Sequence, residues 1–147
     1  MAINPNTTFT AGSILTAAQQ NRFPRGIMAY ATTASNAGLT TTVADLGLSL
    51  SFTAVANRYY KYTFAAYASN ASIASTLETY VTDSANAIKG SINLYVASAS
   101  GYTYQLLTYI STETAGTVTR KLRGKCGAGS GTIYGPLDFW VEDIGPA

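Results

Sequence analysis

The sequence predicts an all-β fold: an antiparallel, jelly-roll-like β-sandwich preceded by an N-terminal arm and one short helix. Three observations carry that expectation. First, about eight short segments rich in β-branched and aromatic residues are separated by Gly, Ser and Asn, the spacing of a sandwich or barrel. Second, Leu46, Leu48, Leu50 and Phe52 alternate with Gly47, Ser49 and Ser51, a period of two that puts one face in a core. Third, the 147 residues include eleven tyrosines but no histidine, one cysteine and only 11% charged residues. A chain of this length fits one domain and buries roughly 70% of its unfolded surface, so it folds without disulfides or metal.

The elements follow in order. Asn4-Pro5-Asn6 opens an extended arm. Thr16 with Gln19 three residues later fits a capping box, so a helix is expected over Ala17 to Arg22. Pro24 ends it by disfavouring helical geometry at Phe23. Ile14, Leu15 and Phe23 are expected to pin this element to the body. Residues 1–25 thus form a docking segment and 26–147 the sandwich.

Gly26 to Thr33 reads as the first strand, followed by a turn over Ser35 to Gly38. Leu46 to Phe52 is the next strand. Arg58 to Tyr67 is the strongest by propensity. Ala68 to Ser75 reads as a long loop. Strands are then expected over Thr76 to Thr82, Ser91 to Ala97, Tyr102 to Ile110 and Thr117 to Cys126. A Gly-rich turn follows, and Leu137 to Val141 closes the set, with Pro136 at its start.

Composition excludes several kinds of chemistry. Without histidine there is no Ser–His–Asp or Cys–His arrangement and no His-based zinc site. Cys126 has no partner and no base, so a small buried role is expected of it. No catalytic residue, cofactor or metal is expected. A net charge of +2 gives no reason to expect nucleic acid. No basic region followed by an apolar run opens the chain, and no stretch of about eighteen apolar residues occurs, so neither a leader nor a membrane span is expected.

Three groups of residues remain as candidates. Lys121, Arg123 and Lys125 share one face of a strand with Thr117 and Thr119. That basic stripe could meet phosphates or an acidic protein, or could simply keep a solvent-facing strand soluble. Arg120 falls on the apolar side and calls for a carboxylate, across strands or across a subunit boundary. Tyr59 and Tyr67 point away from Tyr60, Tyr62 and Phe64, which read as core. Asp138, Trp140 and Glu142 share one face, where Trp140 could stack on a sugar and the carboxylates could act as a glycosidase pair or as solvated charges.

The stretches TFTAGSILTAAQQNRFPRG, ANRYYKYTF and VEDIGP, in that order, resemble small β-rich virion proteins of tailed bacteriophages, especially those of actinobacteria. The family comprises head decoration and minor tail proteins. The resemblance implies a non-enzymatic accessory structural protein located in the virion, most readily a capsid decoration protein docked on the assembled shell. The alternative is a minor tail protein or a tail-tip module that binds host-surface carbohydrate. Its expected partners are further copies of itself, as a trimer on virion geometry, and major capsid or tail proteins. Phe9, Ile14, Leu15, Phe23, Arg25 and Arg120 are the expected docking residues. Tyr59, Tyr67, Lys121, Arg123, Lys125 and Trp140 are the expected surface contacts.

Overall fold

The computed structural model describes residues 12, 14, 16–70, 74–98 and 101–147. These contain helix α1 (Ala17–Gln20) and strands β1 (Gly26–Thr33), β2 (Ala37–Leu39), β3 (Ala44–Ala54), β4 (Arg58–Asn70), β5 (Ser75–Thr82), β6 (Ile88–Val96), β7 (Tyr102–Thr112), β8 (Gly116–Cys126) and β9 (Gly131–Pro146). One sheet, sheet A, runs β1-β9-β4-β7, with β2 also paired to β9. The other, sheet B, runs β3-β8-β5-β6. Every pairing is antiparallel. Apart from β1 to β2 and the β5–β6 hairpin, each strand is followed by one in the opposite sheet. That is the strand order of a jelly roll.

The period of two accounts for the core. Leu46, Leu48, Leu50 and Phe52 of β3 are buried, and the residues between them are exposed. Tyr60, Tyr62 and Phe64 of β4 are fully buried, with Leu137, Phe139 and Val141 of β9 beside them. From sheet B, Leu77, Val81 and Leu122 complete the same cluster. Phe52 reaches across to Tyr60, with ring centroids 5.1 Å apart. Buried tyrosines need partners for their hydroxyls. Tyr60 Oη accepts from the Val55 N–H at 2.7 Å, and Tyr62 Oη donates to Glu113 at 2.7 Å.

Several boundaries differ from the sequence expectation, among them the start of β6 at Ile88 and the end of β9 at Pro146. Helix α1 stops at Gln20, although its capping box forms as expected: Thr16 N–H donates to Gln19 Oε1 at 2.8 Å and Gln19 N–H to Thr16 Oγ1 at 3.2 Å. Ala37–Leu39 adds a short strand where a turn was expected. Strand β4 continues to Asn70 instead of yielding to a loop at Ala68. Ala66 and Ala68 are buried, so these small residues are core positions on a strand. Strand β9 begins at Gly131, not Leu137. Pro136 sits where the β4–β9 register shifts between Ala65 and Tyr67, a bulge that tolerates a missing N–H.

The anchor of the N-terminal segment also differs. Ile14 is 92% exposed and does not pin the segment by burial, whereas Phe23 is only 37% exposed. Phe9 and Leu15 lie outside the described residues. Arg58 also holds the segment. It is buried at the start of β4 and donates to the Asn21 carbonyl at 2.5 Å and the Phe23 carbonyl at 2.6 Å. It also makes two bonds to the buried Asp143 carboxylate, at 2.5 and 2.7 Å. Residues 21–23 are therefore tied to the sandwich by its own interior ion pair.

Candidate functional site

The two outward faces of the sandwich differ in kind. Sheet B presents hydroxyls and paired charges, with Tyr95 as its exposed aromatic residue. Sheet A presents aromatic and aliphatic side chains.

On sheet B, Lys121, Arg123 and Lys125 do share the outward face of β8. Each has a local partner. Arg123 Nε lies 2.9 Å from Asp45 on β3, and Lys125 Nζ lies 3.4 Å from Glu78 on β5. Lys121 Nζ donates to Asn86 at 3.1 Å. Cross-strand pairs of this kind are the ordinary stabilisers of an antiparallel sheet, and they neutralise much of the stripe's field.

Arg120 turns inward, as its parity required. It is buried, its Nη2 lies 2.5 Å from Glu113 on the β7–β8 connection, and its Nη1 donates to the Thr119 carbonyl at 3.0 Å. Glu113 also accepts from Tyr62 and from Ser111. The carboxylate that Arg120 calls for is thus supplied within the chain. Arg25 stays near the other buried pair, with its Nε 4.0 Å from Asp143.

On sheet A, the β-register assembles two aromatic rows. Tyr67 of β4 lies opposite Tyr134 of β9 on one side and Tyr104 of β7 on the other. The Tyr67 and Tyr104 rings meet edge-to-face with centroids 5.0 Å apart. Tyr102 joins the cluster through Tyr134, at 5.2 Å. Ser69 lies buried beneath, its hydroxyl 3.0 Å from that of Tyr134. Tyr67 and Tyr102 nevertheless expose 58% and 69% of their surface.

In the second row, Trp140 of β9 lies between Tyr30 of β1 and Thr63 of β4. Thr63 and Tyr67 are four residues apart on β4, so the rows are separated by about 13 Å along the strand. Ala65 lies midway, opposite Asp138. On its other side lies Leu106 of β7, which is exposed. Asp138 accepts a 2.5 Å bond from the Tyr30 hydroxyl, which raises the Tyr30 pKa above its ordinary value. Glu142 is held by Lys61 at 2.5 Å. Asp138, Trp140 and Glu142 thus share one face, as their parity required. Tyr59 lies on this face too, nearer the end of the sandwich, where it borders a depression of about 650 Å³ with Asn57, Ile110, Ser111 and Glu113.

Sequence parity found Tyr59, Tyr67 and Trp140 on this face but missed Tyr30, Tyr102, Tyr104 and Tyr134. The missing information was register, because parity within a strand does not say which residues of three strands fall in one row. Arg58 and Asp143 were missed as a pair for the same reason.

These features define a jelly-roll domain with one polar face and one aromatic face. No family model matches the chain, and no curated protein matches it. Solved structures with a similar fold include the CBM22-1 and GH10 modules of a Clostridium thermocellum endo-1,4-beta-D-xylanase complexed with xylohexaose. That match has 11% identity and a TM-score of 0.44, and covers 83% of this chain and 29% of that one. A second is TmCBM61 in complex with beta-1,4-galactotriose, at 15% identity and a TM-score of 0.37, covering 72% of this chain and 67% of that one. A third is the enzymatically active domain of tailspike protein 4 of bacteriophage CBA120, at 11% identity and a TM-score of 0.32. It covers 76% of this chain, which spans 19% of the tailspike chain.

Proposed function

We propose that this chain is a non-enzymatic carbohydrate-binding module whose ligand lies across the outward face of sheet A. The observation that carries the reading is the pair of aromatic rows, Tyr134–Tyr67–Tyr104 and Tyr30–Trp140, with Asp138, Ala65 and Leu106 between them. Pyranose rings present C–H faces that stack on aromatic side chains, and tyrosine offers such area with few rotamers to freeze. Asp138 supplies an acceptor for sugar hydroxyls between the rows. The charged groups of this face are Asp138, Glu142 and Lys61, and Lys61 is already paired, so a neutral glycan fits better than an acidic one.

On the virion that the sequence resemblance implies, a face of this kind belongs to a tail part that meets the host surface. Shell decoration through the N-terminal segment is less well supported, because residues 21–23 are tied to their own sandwich by Arg58.

Trp140 is the single tryptophan and reports on the site directly. Neutral polysaccharides titrated against the protein should shift its emission. Tyr67→Ala and Tyr104→Ala should each weaken binding about tenfold, or about 1.4 kcal/mol. Lys121→Ala, on the opposite face, should leave it unchanged. A glycan array without a hit, together with Trp140 emission that no neutral polysaccharide moves, would sink the proposal.

A further inference from the structure

Edge strands expose unpaired N–H and C=O groups, and proteins guard them with charge, proline, bulges or short length. Among the described residues the sheet edges are β1, with the three-residue β2 beside it, and β7 in sheet A, and β3 and β6 in sheet B. Three carry a guard. Strand β1 has a register shift between Ile27 and Ala29. Strand β3 has one between Asp45 and Ser49, with Gly47 at φ 74° and a charge at Asp45. Strand β6 carries Lys89 and pairs with β5 across a shift between Val81 and Thr82.

Strand β7 has none of these devices. Over Tyr102–Thr112 it holds no charge, proline or glycine, and its eleven-residue register with β4 is unbroken. It also turns its more apolar side outward. Tyr102, Tyr104, Leu106 and Ile110 are exposed, whereas Gln105 and Leu107 are buried and Thr103 and Ser111 face the same way as they do. A strand with these properties is built to be covered.

We infer that β7 is a homodimer edge, pairing antiparallel with β7 of a second copy about a two-fold axis at Leu107. The strand is complementary to itself in that register, which uses all eleven residues. Leu106 falls opposite Thr108 of the second copy and Tyr104 opposite Ile110, so apolar side chains meet and no like charges do. The pairing is isologous and closed, the commonest symmetry of soluble oligomers. One unguarded edge closes a two-fold pair; it does not close the three-fold ring expected from virion geometry. The joined sheets would place two aromatic faces side by side. The inference stands on the edge itself and does not require that a sugar bind there.

Sedimentation velocity through the micromolar range tests it, using the full chain and two variants at exposed positions. The wild type should sediment as a dimer. Leu106→Lys/Thr108→Lys puts like charges opposite each other across the axis, and should give a monomer with unchanged circular dichroism and a melting temperature that no longer rises with protein concentration. Leu106→Glu/Thr108→Lys puts opposite charges there, and should restore the dimer. A monomeric wild type overturns the inference, as does a dimer that survives the double lysine substitution. A trimer in the wild type overturns it equally. A charge-swapped variant that stays monomeric rejects the two-fold register.

Discussion

Replacing Arg58 by methionine keeps the length of the side chain and removes its charge and donors. What remains is the Asp143 carboxylate, 1% exposed, with the Gly145 N–H at 3.0 Å and the half-exposed Arg25 at 4.0 Å. Removing one partner of a buried pair costs about 3–5 kcal/mol, because the other charge stays in the interior without compensation. The freed carbonyls of Asn21 and Phe23 belong to exposed residues, where water replaces the lost donors, so they add little. For a domain near 150 residues, each kcal/mol lowers the melting temperature by about 2–4 °C, so Arg58→Met should lower it by about 6–20 °C. Arg58→Met/Asp143→Asn removes both charges and leaves the Asn oxygen to accept from Gly145. Its loss should be clearly smaller than the sum of the two single losses. Urea unfolding of the four proteins measures this coupling. If Arg58→Met costs under about 1 kcal/mol, or if the singles add within about 0.5 kcal/mol, the two side chains are not one buried unit and the anchor is wrong.

Three further outcomes are expected. A Cβ at Gly135 would stand 2.1 Å from the Ala34 carbonyl oxygen, a backbone atom that cannot rotate away, so Gly135→Ala should cost about 1–3 kcal/mol in denaturant unfolding. Burial pushes the Tyr109 hydroxyl up to about 12, against a smaller lowering by Arg120, and burial with the Glu113 bond raises Tyr62 further. Raised folded-state values mean that their stabilisation is whole below the ordinary tyrosine value of 10.0 and is lost as pH climbs toward and beyond 12. Phenolate absorbance should therefore show these two silent until alkali unfolds the chain, and early titration of all eleven tyrosines would contradict that. Cys126 is fully buried, with its Sγ 3.4 Å from the Gly129 carbonyl, so a thiol reagent should label it only after unfolding.

The strands were legible because β3 separates its apolar and polar residues cleanly by parity, and β4 and β8 do so apart from Tyr59, Tyr67 and Arg120. Leu46 to Phe52 reads as one buried face without ambiguity, and the strand limits of β1 and β5 come within a residue of the Gly, Ser and Pro punctuation. The errors lie where a single residue type has two structural meanings. Ala66 and Ala68 look like loop composition, yet small side chains also suit a crowded strand interior. Pro136 looks like a strand boundary, yet a bulge accepts it inside one. The anchor of the N-terminal segment was assigned to apolar residues because burial is the usual means of docking. Of these Ile14 is exposed, and a charged side chain on β4 also holds the segment; nothing local in the sequence pairs Arg58 with Asp143, which lies far along the chain.

Strand β7 was legible as a strand, but not in which side it buries. Its two parities are Tyr, Tyr, Leu, Thr, Ile, Thr on one side and Thr, Gln, Leu, Tyr, Ser on the other. A hydrophobicity rule would bury the first set. The fold buries the second, satisfying Gln105 in part through a 2.7 Å bond from Thr79 across the sandwich. Turning the more apolar side to water costs stability unless something covers it. The neighbouring strands do not share the inversion, since β4 buries Tyr60, Tyr62 and Phe64 and β9 buries Phe139 and Val141. The exposed side of β7 is therefore a local departure from the core pattern, and it lies beside the aromatic row of Tyr67 and Tyr134 and on the unguarded edge. A ligand across the face and a second copy at the edge would each relieve that exposure, and they engage different parts of the strand: the rings of Tyr102 and Tyr104 in one case, the backbone and Leu106 in the other.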